Sequence, residues 1–225
     1  MHTSPNPDGS AFPLDSEGVW CEILRPSSGA RPRPALFLDR DGVVVVETGY
    51  LSRPEDVRLV PGAAVAIVAA NRRGVPVILI TNQSGIGRGF YGWDAFAAVQ
   101  RAILERLEAS HAFVDAVYAC PYHAEGIAPY RHPDHPARKP NPGMLLRAET
   151  ALKLDLASSW LVGDRASDLE AARRARLEGG VHVLGGHGSD AEARAAALAL
   201  DASNFKVGCA PTIESAMALI PLFAR

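Results

Sequence analysis

The sequence predicts an α/β fold, a three-layer αβα sandwich around a mostly parallel sheet, and three observations carry that expectation. Short apolar runs alternate with helix-length amphipathic stretches from residue 35 onward. Gly- and Pro-bearing turns separate them. Polar residues able to do chemistry follow the apolar runs directly, which is where a doubly wound sheet gathers its ligands. No large cap domain is visible between the runs, so the expectation is a Rossmann-like core closed over its ligand by short loops.

Residues 1–32 read as an N-terminal extension dominated by proline, glycine and polar residues, interrupted by the apolar patch VWCEIL (19–24), which could pack on the domain as an extra strand. Residues 33–225 read as the domain. ALFLD (35–39) is the first strand, and its unbroken apolar character suits a parallel strand buried on both faces. PGAAVAIVAANRRG (61–74) has proline near its start and glycine at its end, the asymmetry expected of a helix. VPVILIT (75–81) is the second strand, and YGWDAFAAVQRAILERLEASH (91–111) carries apolar residues at helical spacing. FVDAVYA (113–119) is the third strand, followed by a loop insertion at about 120–138. NPGMLLRAETALKL (141–154) is a helix, SWLVG (159–163) the fourth strand, SDLEAARRA (167–175) a helix and GGVHVLG (179–185) the fifth strand. DAEARAAALAL (190–200) and PTIESAMALI (211–220) close the chain as helices. Strand–helix alternation implies right-handed crossovers.

A chain of 225 residues that is 48% hydrophobic and 21% charged can bury a full core. Its net charge of −2 supplies no basic field for a nucleic-acid backbone, and no Lys/Arg block interleaved with aromatics occurs. The N-terminal residues lack the apolar run of a signal peptide, and no later stretch approaches a membrane span. The expectation is a cytoplasmic protein without nucleic-acid or membrane partners, a monomer or small homo-oligomer. Cys21, Cys120 and Cys209 are odd in number and far apart, which fits reduced thiols better than a disulfide framework.

Four segments carry candidate chemistry. In FLDRDG, Asp39 and Asp41 stand two residues apart at a strand end, before Gly42, which lets the backbone turn. Such carboxylates repel unless a hard divalent cation joins them, although an ordinary Asx turn has the same composition. TNQSG (81–85) offers hydroxyls, amides and backbone N–H groups suited to phosphate oxygens, or is simply a polar loop. In RKPNPG, Lys139 is one of only three lysines against twenty arginines, and it stands beside Arg138. An ammonium neutralises phosphate as a point charge, while a guanidinium can grip a second anion bidentately; the alternative is a solvated basic pair. In GDRASD, Asp164 could complete a metal site, with Asp168 bracing the loop or capping the next helix.

Together and in this order, DRDG, TNQSG, RKPNPG and GDRASD resemble the four motifs of the haloacid dehalogenase-like phosphatase superfamily, over roughly residues 35–185. FLDRDG, ETGY (47–50), TNQSGIGRG, CPYH (120–123) and RKPNPGM are similar to its subgroup of heptose-bisphosphate and histidinol-phosphate phosphatases. The resemblance implies a magnesium-dependent phosphatase acting on a small phosphorylated metabolite, a sugar bisphosphate first and histidinol phosphate or another phosphomonoester second. A catalytically silent phosphosugar-binding module is the alternative of another class, as is an interaction protein anchored by Trp20 and Leu24.

On that resemblance Asp39 is the nucleophile that forms an aspartyl phosphate, and Asp41 the general acid and then base. Mg2+ is held by Asp39, the Asp41 carbonyl and Asp164, while Thr81 and Lys139 stabilise the transferred phosphoryl group. Substrate recognition falls to Glu47, Thr48, Gly49, Tyr50, Asn82, Gln83, Ser84, Arg138 for a distal phosphate, and Arg165, where the family usually has lysine. Relatives pin the loop before RKP with a Zn2+ cluster. Here Tyr122 stands in the usual His position, and His135 and Ala137 replace two cysteines. A rearranged set of Cys120, His123, His132 and His135 has the ligand types for zinc, against a zinc-free loop stiffened by Pro129, Pro133 and Pro136.

Overall fold

The computed structural model describes residues 12–26 and 31–224. At its centre lies strand β2 (Leu36–Leu38), fully buried and flanked by two parallel neighbours, β3 (Val77–Asn82) and β5 (Trp160–Gly163). β4 (Ala116–Cys120) extends the sheet beyond β3, and β6 (Gly179–Val183) and β7 (Lys206–Ala210) extend it beyond β5, all parallel. β1 (Trp20–Ile23), formed by the VWCEIL patch, runs antiparallel along β4 at one edge, giving the order β1-β4-β3-β2-β5-β6-β7.

Successive residues of a strand point to opposite faces, and the core divides accordingly. Leu36, Leu38, Val77, Leu79 and Val162 pack beneath α1 (Ala63–Arg72), α3 (Trp93–Glu108) and α7 (Ile213–Ala216). Phe37, Ile78, Ile80 and Leu161 pack beneath α4 (Gly143–Leu152), α5 (Ala166–Arg174) and α6 (Ala191–Leu198). The result is the three-layer αβα sandwich. A short helix, α2 (Ser84–Gly87), turns the chain inside TNQSG.

β7 is a strand that the apolar pattern does not announce. KVGCA holds Lys206 and Cys209 exposed and Gly208 between them, because an edge strand keeps part of its surface in water. Its pairing with β6 comes from the sheet rather than from its own sequence.

The topology also locates the crevice. The chain leaves β2 toward β3 and β4, then crosses to β5 on the other side, so the switch point lies beyond the carboxyl ends of β2 and β5. Leu38 is in register with both Leu79 and Val162, which brings the ends of three strands to one level. Among the described residues, no helix is long and apolar enough to cross a membrane.

Candidate active site

Because β2 and β5 end in register, the residues that follow them meet. Ligand oxygens of Asp39, Asp164 and Asp168 lie within 4.8 Å of one another, and all three residues are buried. Lys139 reaches into the same space from the loop before α4. Its Nζ donates to Asp39 Oδ1 at 2.7 Å and to the Ile80 carbonyl at 3.0 Å, and stands 2.7 Å from Asp168 Oδ1. Asp168 also accepts from the Arg165 N–H at 3.0 Å, which ties the ion pair to the start of α5.

One ammonium against three buried carboxylates leaves the cluster short of positive charge. Burial raises the Asp39 pKa well above the ordinary carboxylate range, the Lys139 ammonium pulls it back in part, and Asp168 and Asp164 push it further up. Asp164 is pushed up to about 7, first by burial and then by Asp168. For Lys139 burial opposes the charged form, but Asp168 and Asp39 outweigh it and raise its pKa.

A cation fits this deficit. Asp164 Oδ2 accepts the His187 N–H at 2.8 Å, whereas its buried Oδ1 has no hydrogen-bond partner among the described residues. A buried carboxylate oxygen left unpaired is costly, and an all-oxygen donor set suits a hard ion such as Mg2+. Backbone closes in on the same carboxylate: a Cβ at Gly42 (φ +84°) or Gly186 (φ +49°) would fall 2.3 Å from Asp164 Oδ2. Asp168 joins the expected Asp39 and Asp164 in the cluster, whereas the Asp41 side chain is engaged with Arg40 and Gln83.

Arg40 grips Asp41 with both arms of its fork, Nε to Oδ1 at 3.1 Å and Nη2 to Oδ2 at 2.9 Å. The guanidinium is 1% exposed and lies over the Phe96 ring, 5.3 Å from its centroid. Gln83 Nε2 donates to Asp41 Oδ2 at 2.9 Å and to Thr81 Oγ1 at 2.7 Å, while Gln83 Oε1 accepts the Tyr91 hydroxyl at 2.6 Å. Burial pushes the Tyr91 pKa up to about 12, so the phenol stays a neutral donor. The acid–base candidate is therefore aimed by a chain of fixed donors rather than left free to rotate.

Two adjoining lobes open above these groups. One of about 330 Å³ is lined by Asp39, Asp41, Thr81, Arg138, Lys139 and Arg165 among others. The second, about 260 Å³, shares Asp41, Glu47, Asn82, Ser84 and Arg165 and adds Gly49, Tyr50, Tyr91 and His187. The combined space is of small-molecule size. Glu47, Ser84, Arg138, Arg165, Gly49 and Tyr50 thus line the cavity.

Three of the expected recognition residues have other partners. Gln83, though it lines the second lobe, is buried and holds Asp41. Asn82, though it lines the cavity, spends its amide on the Lys139 backbone in both directions. Thr48 faces a different hollow of about 350 Å³ beside Leu51, Asp56 and Arg58.

The candidate zinc set is not assembled. Among the described residues, only Asp39, Asp164 and Asp168 meet the geometry of a shared ion. Cys120 packs in the apolar layer with Tyr118 and Ala137, where burial pushes its thiol up to about 12. His123, His132 and His135 each use Nδ1 to accept a backbone N–H, from Glu125, Asp134 and Ala137, each at 3.1 Å. The His135 ring lies flat on Tyr122 with centroids 3.8 Å apart.

Arg40, Tyr91, Gly186 and His187 are candidate-site residues that sequence reasoning does not single out. The last two were within reach, since they follow the fifth strand directly, where the strand-end rule already directs attention. Arg40 carried no signal beyond its place between the two aspartates.

The HAD-hydrolase-like family model matches residues 136–204. A D-glycero-beta-D-manno-heptose-1,7-bisphosphate 7-phosphatase of Mesorhizobium japonicum is 50% identical over 177 residues, 79% of this chain and 82% of its own. The protein of the same name from Rhodopseudomonas palustris is 40% identical over 68% of this chain and 85% of its own. Among solved structures, the D,D-heptose 1,7-bisphosphate phosphatase of B. bronchiseptica, complexed with magnesium and phosphate, aligns with a TM-score of 0.71 at 27% identity, covering 85% of this chain and 99% of that one. A HAD-like phosphatase from Mesorhizobium loti aligns with a TM-score of 0.75 at 50% identity over 78% of this chain and 84% of its own. With a switch-point cluster of aspartates and one lysine on a Rossmann-like sheet, and with relatives of this identity and coverage, the chain belongs to the HAD-like phosphatase family that includes the heptose-1,7-bisphosphate 7-phosphatases.

Proposed function

We propose that this chain removes the 7-phosphate of D-glycero-D-manno-heptose 1,7-bisphosphate, with Asp39 as nucleophile. The observation that carries the reading is the placing of Asp39, paired to Lys139, on the wall of the same cavity as the donor-held Asp41. Asp39 attacks phosphorus as the bond to the sugar O7 breaks, and Asp41 delivers a proton to that oxygen. In the second step Asp41 takes a proton from water, the water oxygen bonds to phosphorus, and the bond to Asp39 breaks to release inorganic phosphate.

Asp39, Asp164 and the Asp41 carbonyl would hold Mg2+, which would neutralise the crowded anions. Lys139 and Thr81 bear on the transferred phosphoryl group, where positioning and electrostatics supply most of the effect. Arg138 and Arg165, both lining the phosphoryl lobe, support recognition of the second phosphate. Glu47 and Tyr50 line the space left for the sugar. Three unpaired cysteines support a reducing, cytoplasmic setting.

Phosphate release measured over a panel of sugar bisphosphates, sugar monophosphates and histidinol phosphate tests the reading. The heptose bisphosphate should give the highest kcat/KM, and Arg138→Ala should raise KM more for it than for a monophosphate. A higher constant for histidinol phosphate would overturn the substrate, and an equal rise of KM on both substrates would overturn the role of Arg138.

A further inference from the structure

The segment before β1 makes contacts that an edge strand does not need. Asp15 Oδ1 accepts the N–H groups of Glu17 and Val19, each at 2.9 Å, and closes a turn completed by Gly18 at φ +71°. The base of that turn is fixed, because Trp20 packs on Trp93 and Phe96 with ring centroids 5.5 and 5.0 Å apart.

From this base the turn reaches the loop that bears Arg138. The Tyr122 hydroxyl donates to the Glu17 carbonyl at 2.5 Å. The Glu17 carboxylate is paired with Arg147, and its Oε2 lies 3.9 Å from His135 Nε2. Arg147 Nε also donates to Asp15 Oδ2 at 2.8 Å, so both acidic residues of the turn are tied to α4.

Beyond this contact the path runs on to Arg138. Tyr122 and His135 are stacked with an interplanar angle of 1°, and each then holds Arg138 through its backbone. The Tyr122 carbonyl accepts Arg138 Nη1 at 2.9 Å, and the His135 carbonyl accepts the Arg138 N–H at 2.9 Å. A guanidinium held at its head and at its backbone presents its remaining donors to the cavity in one orientation.

We propose that the turn at residues 15–18 is a latch on the 121–138 loop, and that it acts as a positioning element for the grip of Arg138 on the second phosphate. The latch rests on the reading of Arg138 given above. Each of its contacts is partly exposed and individually modest, so losing them loosens the loop without unfolding the chain. None of its members lines the phosphoryl lobe, so the chemical step is left in place.

The test is the double variant Tyr122→Phe, Arg147→Met, which removes the hydroxyl and the guanidinium while keeping the ring stack. Hydrogen exchange should quicken in residues 121–138 and stay unchanged in β3. KM for heptose 1,7-bisphosphate should rise about fivefold, while KM for heptose 7-phosphate and kcat for both change less than about twofold. Unchanged exchange in the loop, an equal rise of KM for both substrates, or a shared fall in kcat would each overturn the latch. If the wild-type protein fails to hydrolyse the bisphosphate, the functional reading falls by itself, and the exchange measurement alone still decides whether the latch exists.

Discussion

Asn82 and Lys139 hold each other reciprocally: Asn82 Nδ2 donates to the Lys139 carbonyl at 2.9 Å, and the Lys139 N–H donates to Asn82 Oδ1 at 3.0 Å. One residue ends β3 and the other belongs to the loop ahead of α4, so this pair fixes where the ammonium arrives relative to Asp39.

Asn82→Ala should therefore behave as a misplacement of Lys139. We expect kcat to fall by about tenfold or more with a smaller change in KM, the pattern of an interaction that matters most in the transition state. Steady-state kinetics on the preferred substrate reads this directly. A rise in KM alone would mean that Asn82 serves the substrate instead.

Asp39→Asn should abolish turnover, a loss of at least about 10³-fold, because the amide cannot form the acyl phosphate. Burial already opposes ionisation at this position, so the neutral side chain should not lower the melting temperature of the metal-free protein. Phosphate release and a thermal melt on the same sample check both halves; an active variant would remove Asp39 from the chemistry.

Gly186→Ala should weaken magnesium binding. Its Cβ would lie 2.3 Å from Asp164 Oδ2, and φ of +49° is a conformation that costs an L side chain roughly 1 kcal/mol. Titration calorimetry with Mg2+ should show affinity reduced by about tenfold. Unaltered affinity would mean that the carboxylate shifts without consequence for the ion.

Stability should depend on pH and Mg2+ together. In the folded, metal-free protein Asp164 keeps its proton up to about pH 7, whereas its reference value is 3.8. The folded state thus binds more protons between these values, so its stability from this group falls as pH rises across that window and loses nothing further above it. Saturating Mg2+ takes the place of the proton. The gain in melting temperature on adding Mg2+ should be larger at about pH 8 than at about pH 5, since metal competes with the proton only at the lower pH. A gain independent of pH would exclude Asp164 as a ligand.

Much of this was legible in the sequence, for a physical reason. Parallel strands buried on both faces are written as unbroken apolar runs, and the residue after each run is forced to the crevice. That logic exposes Asp39, Thr81 and Asp164 without any knowledge of contacts. It does not expose Arg40 or Tyr91, because their roles depend on which side chains face Asp41 across the fold. The edge strand β7 stayed hidden because half of it is wet. Of the two readings of the 120–138 loop, the zinc set is not brought together, because ligand types at close spacing say nothing about orientation: Cys120 lies in the apolar layer, while the His135 ring is stacked on Tyr122.

The two lobes of the cavity share five residues, but those particular to each come from different parts of the chain. Asp39 and Thr81, particular to the first lobe, stand at strand tips whose register is dictated by the sheet, whereas Gly49, Tyr50 and His187, particular to the second, stand on connecting segments. Selection can therefore alter those segments, and tolerate insertions there, without disturbing the aspartates and lysine gathered at the strand ends. A family built this way should diversify in what it accepts long before it changes what it does.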